Sequence, residues 1–155
     1  MSSVLSLYRQ VTRLPRGDRL FSFLFSQKAP YFATVRPRFV ALRPDYAELV
    51  IPKRRRVHNH LKTVHAIAIC NGLEAAMGAL AEATIPPGKR WIPKGMQVHY
   101  LKKAQGSLRA TASVAVPDSA RGAHELHAFV AVRNGDDEVV FEADIAMWIS
   151  PRAPA

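Results

Sequence analysis

The chain is expected to fold as one α+β domain, an antiparallel sheet of about six strands around a single long helix, and three observations carry that expectation. Residues 66–81 (AIAICNGLEAAMGALA) form one apolar helical run interrupted by a single charged side chain, Glu74. The segments after it alternate apolar and polar residues in the period-two manner of strands. The links between those segments contain Gly106, Pro117-Asp118 and Asn134-Gly135-Asp136, which read as turns between mostly antiparallel strands.

Taken in order, Val4, Leu7, Val11 and Leu14 follow helical spacing, and the residues from Pro15 to Gly17 end that helix. Asp18 is placed to cap a second helix reaching Lys28. Residues 1–30 are therefore expected as a helical flank or lid, with its arginines on the polar side, and residues 31–155 as the main body. Residues 39–42 and 47–51 read as a hairpin turning at Pro44-Asp45. A turn over 58–63 then leads into the long helix, with Thr63 or Asn59 as its cap. Ile85-Pro86-Pro87-Gly88 stops the helix after about Glu82. The remaining strands are expected at 96–101, 108–116, 125–133 and 138–149. No internal repeat is present.

Composition excludes several classes. A chain of 155 residues, 48% hydrophobic with 8 Gly and 11 Pro, is neither low-complexity nor collagen-like. It is long enough to bury roughly 68–70% of its unfolded surface without staples. The sole thiol, Cys70, cannot close an intrachain disulfide and suits a reducing compartment, so a cytoplasmic location is expected. No transmembrane segment is expected, because the early apolar run 20–25 is far too short to span a bilayer. Residues 1–19 contain Arg and Ser and are nearly free of acids, a faint resemblance to a mitochondrial presequence, and are expected as a structural helix. His58, His60 and His65 match no standard zinc spacing, so no metal or other cofactor is expected.

The net charge of +10 is uneven, since residues 1–56 carry 12 Lys or Arg against 3 acids and residues 57–155 carry 10 against 9. Such a basic half suits nucleic acid, anionic lipid or a phosphate-bearing ligand, and it is equally the pattern of a solvated face. Arg54, Arg55 and Arg56, with Lys102 and Lys103, are candidates for phosphate because a guanidinium donates two bonds at once and an ammonium offers a point charge.

Glu74 is the residue most in need of explanation. A lone carboxylate in a helix built for burial must be paired, neutralised or used. Ile67, Asn71, Glu74 and Gly78 are spaced four, three and four, so they share one helical stripe, with Gly78 leaving room beside the carboxylate. His65 and Asn59 precede the helix, either as functional groups or as ordinary turn residues.

The segment from Asn59 to His65 (NHLKTVH), followed nine residues later by Glu74, resembles the pattern of phenylacetate-degradation-type acyl-CoA thioesterases on the hotdog fold. That pattern is an Asn, a His-Gly-Gly and a helix-borne acid. Residues 57–78, with the 91–96 (WIPKGM) and 100–103 (YLKK) segments, are closer still to an uncharacterised bacterial branch of that superfamily. The likeness covers about residues 35–149. It implies a curved sheet wrapping one helix, and a homodimer with acyl-thioester sites at its interface, with a tetramer as a dimer of dimers left open. A thioester of coenzyme A is then a substrate and not a bound cofactor.

The resemblance implies Glu74 as general base or nucleophile, His65 and Asn59 as orienting groups, and the amides of Ala66 and Ile67 as oxyanion donors. Asn71 and Gly78 would line the acyl-CoA site. The chain departs from the pattern in one respect, since Ala66 and Ile67 stand where the superfamily has two glycines. A homodimer is also expected because Ile67, Ile69, Cys70, Leu73, Met77 and Leu80 point in too many directions for one sheet to cover. Three functions are therefore open: thioester hydrolysis, acyl-CoA binding without turnover, and a basic interaction module. Specific nucleic-acid binding is not expected, as no binding motif occurs and the aromatics Phe21, Phe23 and Phe25 cluster apart from the arginines.

Overall fold

A computed structural model describes residues 3–115 and 122–152. Six strands form one antiparallel sheet: β1 Arg38–Arg43, β2 Tyr46–Ile51, β3 Lys89–Tyr100, β4 Leu108–Val114, β5 His124–Arg133 and β6 Val139–Pro151. Their order is β1-β2-β4-β5-β6-β3. Among the described residues the only α-helix between strands, α3 Ala66–Thr84, packs on the face made by β1, β2, β4 and β5. Inward residues of β2 and β4 are small where the helix lies closest: Ala47, Ala110 and Ala112 are wholly buried, as are Ala75, Ala76 and Ala79 on the helix. Leu73, Met77 and Leu80 fill the centre at 0% exposure, each side chain contributing about 1.5–3 kcal/mol by leaving water.

The two N-terminal helices, α1 Ser3–Val11 and α2 Gly17–Lys28, close the remaining side through an aromatic cluster. Phe21 meets Tyr8 edge-on at 5.0 Å and Phe39 at 5.4 Å, and Phe25 meets Phe39 at 4.8 Å. The buried Ser22 hydroxyl accepts from the Phe39 N–H at 2.8 Å, tying α2 to β1. Gly17 is required at the turn, because a methyl there would sit 2.0 Å from the Val11 carbonyl oxygen.

Several expected boundaries shift for identifiable reasons. α1 stops at Val11, where Thr12 donates its hydroxyl to the Tyr8 carbonyl at 2.7 Å. α2 starts at Gly17 after Arg16 in the left-handed region (φ 59°), so Asp18 is a first-turn residue and not the cap. α3 is capped by His65, neither by Thr63 nor by Asn59, and runs on to Thr84. β3 begins at Lys89, seven residues before the expected start at Met96. It is an edge strand with a register shift between Pro93 and Gly95, and an edge tolerates the missing proline N–H. The turn expected at Pro117-Asp118 lies outside the described residues.

Contrary to expectation, α3 does not need a second copy of the chain to cover most of its apolar side chains. Ile69, Leu73, Met77 and Leu80 are all buried within one chain, because α1 and the 3-10 turn Pro30–Thr34 cover what the sheet leaves open. Only Ile67, 58% exposed, and the half-buried Cys70 remain uncovered. By composition α3 is apolar enough to cross a bilayer, and its place as the core helix accounts for that apolarity.

Candidate functional site

The entrance to α3 is shaped by Asn59. Its Oδ1 accepts from the N–H groups of Leu61 and Thr63 at 3.0 and 3.1 Å, and its Nδ2 donates to Thr63 Oγ1 at 2.8 Å. These bonds hold a tight turn in which Lys62 takes φ 60°. Asn59 therefore uses its polar atoms to build the loop. The loop is pinned by the His65 N–H to Val57 O at 2.7 Å and the Val64 N–H to Ala104 O at 3.0 Å.

His65 is exposed and caps α3, with Nδ1 accepting from the Ile67 N–H at 3.1 Å. An accepting Nδ1 requires the tautomer with its proton on Nε2. The two amides expected to act together are thus unequal: that of Ile67 is engaged by the cap, while that of Ala66 has no acceptor among the described residues. First-turn amides are left open in this way by helix geometry, and the helix dipole makes the spot favourable to negative charge.

Glu74 is exposed along the chain's own surface, contrary to the burial expected of its helix, and among the described residues no cation pairs with it. Its stripe is split. Ile67 and Glu74 face outward, whereas Asn71 is 7% exposed and donates to Tyr31 O at 3.1 Å and Thr34 Oγ1 at 2.9 Å. Asn71 thus fastens the 3-10 turn to α3. Gly78 is also covered, and the room above it belongs to Trp91, whose Cη2 would lie 3.4 Å from an added methyl. Trp91 in turn donates to Glu82 Oε1 at 3.2 Å. Gly78 therefore makes room for an indole and not for the neighbourhood of Glu74. Burial raises the Cys70 thiol pKa, which keeps that neighbour of Glu74 protonated.

The basic candidates separate as well. Arg54 is half-buried; its Nη2 donates to Thr34 O at 3.3 Å and its Nε is buried without an acceptor. Burial first, and then the positive charges of Arg36 and Arg56, lower the Arg54 pKa. No acid pairs with Arg36, Arg54 or Arg56 among the described residues. Arg36 was missed by sequence reasoning. It lies far from Arg54 along the chain, in an approach to β1 with no motif, and its φ of 48° is a tertiary outcome. The Lys102 ammonium bonds Glu138 at 2.6 Å, so its charge already has a partner, while Arg55 and Lys103 are exposed.

Residues 17–149 match DUF4442, a domain of unknown function. The chain belongs to the DUF4442 family. A structural-genomics crystal structure, genomics APC5556, is 43% identical over 96% of this chain and 99% of that one, with a TM-score of 0.83. A protein of unknown function from Pseudomonas aeruginosa, PA5026, described as a probable thioesterase, is 21% identical over 90% and 97% of the two chains, with a TM-score of 0.76. The thioesterase HI1161 of Haemophilus influenzae is 12% identical over 80% and 85%, with a TM-score of 0.70. These likenesses and the sheet order show the hotdog fold, as the resemblance implied. No curated protein is significantly similar in sequence.

Among the described residues of this DUF4442 domain are two clefts that Glu74 does not line. One, about 370 Å³, lies at the end of α3 between Glu82, Trp91 and Arg152, and the other, about 390 Å³, lies on the outer sheet face between His99, Phe129 and Glu142. The same outer face carries a group that sequence reasoning missed. His127 bonds Asp144 at 2.6 Å through Nδ1 and Glu125 at 3.1 Å through Nε2, and Lys94 reaches Glu125 at 3.1 Å. Register, and not sequence proximity, brings these strands together.

The Asp144 bond first, then that of Glu125, raises the His127 pKa above 6.5. A raised pKa means stability that is fully present below the unfolded histidine value and is lost as pH rises through the folded one. The melting temperature of the domain is therefore expected to fall as pH rises above about 6.5, and His127→Gln is expected to flatten that part of the curve. The effect is small because the group is 43% exposed and screened. A His127→Gln profile parallel to wild type would show that the cluster is not responsible.

Proposed function

We propose that this DUF4442 domain hydrolyses acyl thioesters of coenzyme A by the phenylacetate-degradation-type chemistry, at a site completed by a second copy of the chain. The observation that carries the reading is Glu74: a carboxylate without a cation among the described residues, facing outward on the core helix of a fold whose similar structures include proteins described as thioesterases. Such a carboxylate is available as general base, or as nucleophile, toward the thioester carbonyl. The open Ala66 amide at the α3 N-terminus is available to stabilise the oxyanion.

These two groups are eight residues apart on one helix, roughly 12 Å along its axis at 1.5 Å per residue. A nucleophile and an oxyanion donor must each come within about 3 Å of the reacting centre. One chain is then too extended to offer both, which favours a homodimer with Glu74 and Ala66 contributed by different subunits. Sedimentation at micromolar concentration tests the assembly, with a dimer expected. A monomer that turns over substrate would overturn the shared site.

Release of free thiol from a panel of acyl-CoA thioesters by the purified protein tests the activity. The second reading, acyl-CoA binding without turnover, is favoured by one observation: Ala66 and Ile67 replace the glycines and the Ile67 amide is already engaged. Saturable acyl-CoA binding with no thiol release would select it.

A further inference from the structure

Away from the site, residues 13–31 expose four large apolar side chains among cations. Leu14 is 55% exposed, Leu20 43%, Phe23 60% and Tyr31 70%, although the inward faces of α1 and α2 are fully packed. On α2 the outward residues Leu20, Phe23 and Gln27 follow spacings of three and four, Arg19 and Lys28 border that stripe, and Arg16 immediately precedes the helix. Arg13, Arg16, Arg19 and Lys28 are all exposed. The one acid on these helices, Asp18, lies 4.0 Å from Arg38. An apolar stripe bordered by cations is the pattern of a helix lying in the plane of a lipid surface.

We propose that this face docks on an anionic lipid bilayer, with Leu20 and Phe23 entering the boundary between headgroups and acyl chains and Arg13, Arg16, Arg19 and Lys28 meeting the lipid phosphates. Charge complementarity selects this occupant. A second copy would present the same patch to itself across a two-fold axis and set four cations against four. Nucleic acid would answer the cations and leave Leu20 and Phe23 in water. A bilayer uses both features at once. Docking also bears on the arginine cluster, because the 3-10 turn that follows α2 supplies the Thr34 carbonyl to Arg54 and both the Tyr31 carbonyl and Thr34 hydroxyl to Asn71.

Co-sedimentation of the full chain with phosphatidylcholine vesicles, with and without phosphatidylglycerol, tests the proposal. Binding is expected only with phosphatidylglycerol, weakening as salt rises. Arg16→Gln with Arg19→Gln should weaken it by roughly tenfold or more. Leu20→Ser with Phe23→Ser should weaken it comparably, and Phe23→Trp should show blue-shifted emission on the vesicles. Equal binding to both vesicle types, unchanged binding of the double serine variant, or tighter binding to DNA than to the anionic vesicles would overturn the assignment. So would self-association that the double serine variant abolishes. All the substituted side chains are exposed, so these readouts are separate from folding and from thioester turnover.

Discussion

Glu74→Gln is expected to lower acyl-CoA hydrolysis by roughly 10²-fold or more while the melting temperature stays close to wild type. The substitution keeps volume and hydrogen-bonding reach and removes the charge and the base. In energy the loss is about 2.7 kcal/mol of transition-state stabilisation. Stability should hardly respond, because Glu74 is exposed and no cation in the described chain would be orphaned by its removal. Turnover and melting temperature measured on one preparation separate the roles. A structural carboxylate, paired across the dimer, predicts instead a drop in dimer stability with activity following it. Wild-type turnover in folded Glu74→Gln protein would remove Glu74 from the chemistry.

Replacing Arg36, Arg54 and Arg56 together by Gln is expected to weaken coenzyme A binding by roughly thirtyfold at low salt. At about 0.7 kcal/mol for each partly screened contact, three arginines come to about 2 kcal/mol. The salt dependence of binding should flatten as well. Stability should hold or rise in low salt, since these three cations, with no acid paired to them among the described residues, repel one another and one is partly desolvated. Titration of the wild-type and triple-variant chains with coenzyme A and with its dephospho form reads the phosphate contribution directly. Equal affinity of the two chains would place the phosphates elsewhere. Retained affinity in the Arg36→Gln single variant would remove the residue that tertiary structure added to the set.

Much of the fold was legible because its signals are local. The period-two pattern of β4, β5 and β6 and the apolar run of α3 hold whatever surrounds them, so the α+β class and six strands follow from spacing. The start of β3 was not legible. Pro93 argues against a strand until the segment is known to lie at a sheet edge, and edge position is a property of the whole sheet. The helix cap was missed for a related reason: Thr63 and Asn59 are the better cap residues by type, yet both are spent on the turn before His65.

The candidate site divides along the same line. Composition and spacing by themselves determined that Glu74 is the single charge within the run 66–81, that His65 stands where α3 begins and that basic residues crowd the N-terminal half. Only the tertiary structure decided which of these groups remain available. It left Glu74 open because α1 and the Pro30–Thr34 turn cover the rest of α3, filled the space over Gly78 with Trp91, engaged the Ile67 amide with His65, drew Lys102 to Glu138 and brought Arg36 beside Arg54. The physical reason is that a side chain's type and spacing are fixed along the chain, whereas its exposure and its partners depend on elements packed against it from distant positions, and availability for chemistry depends on both.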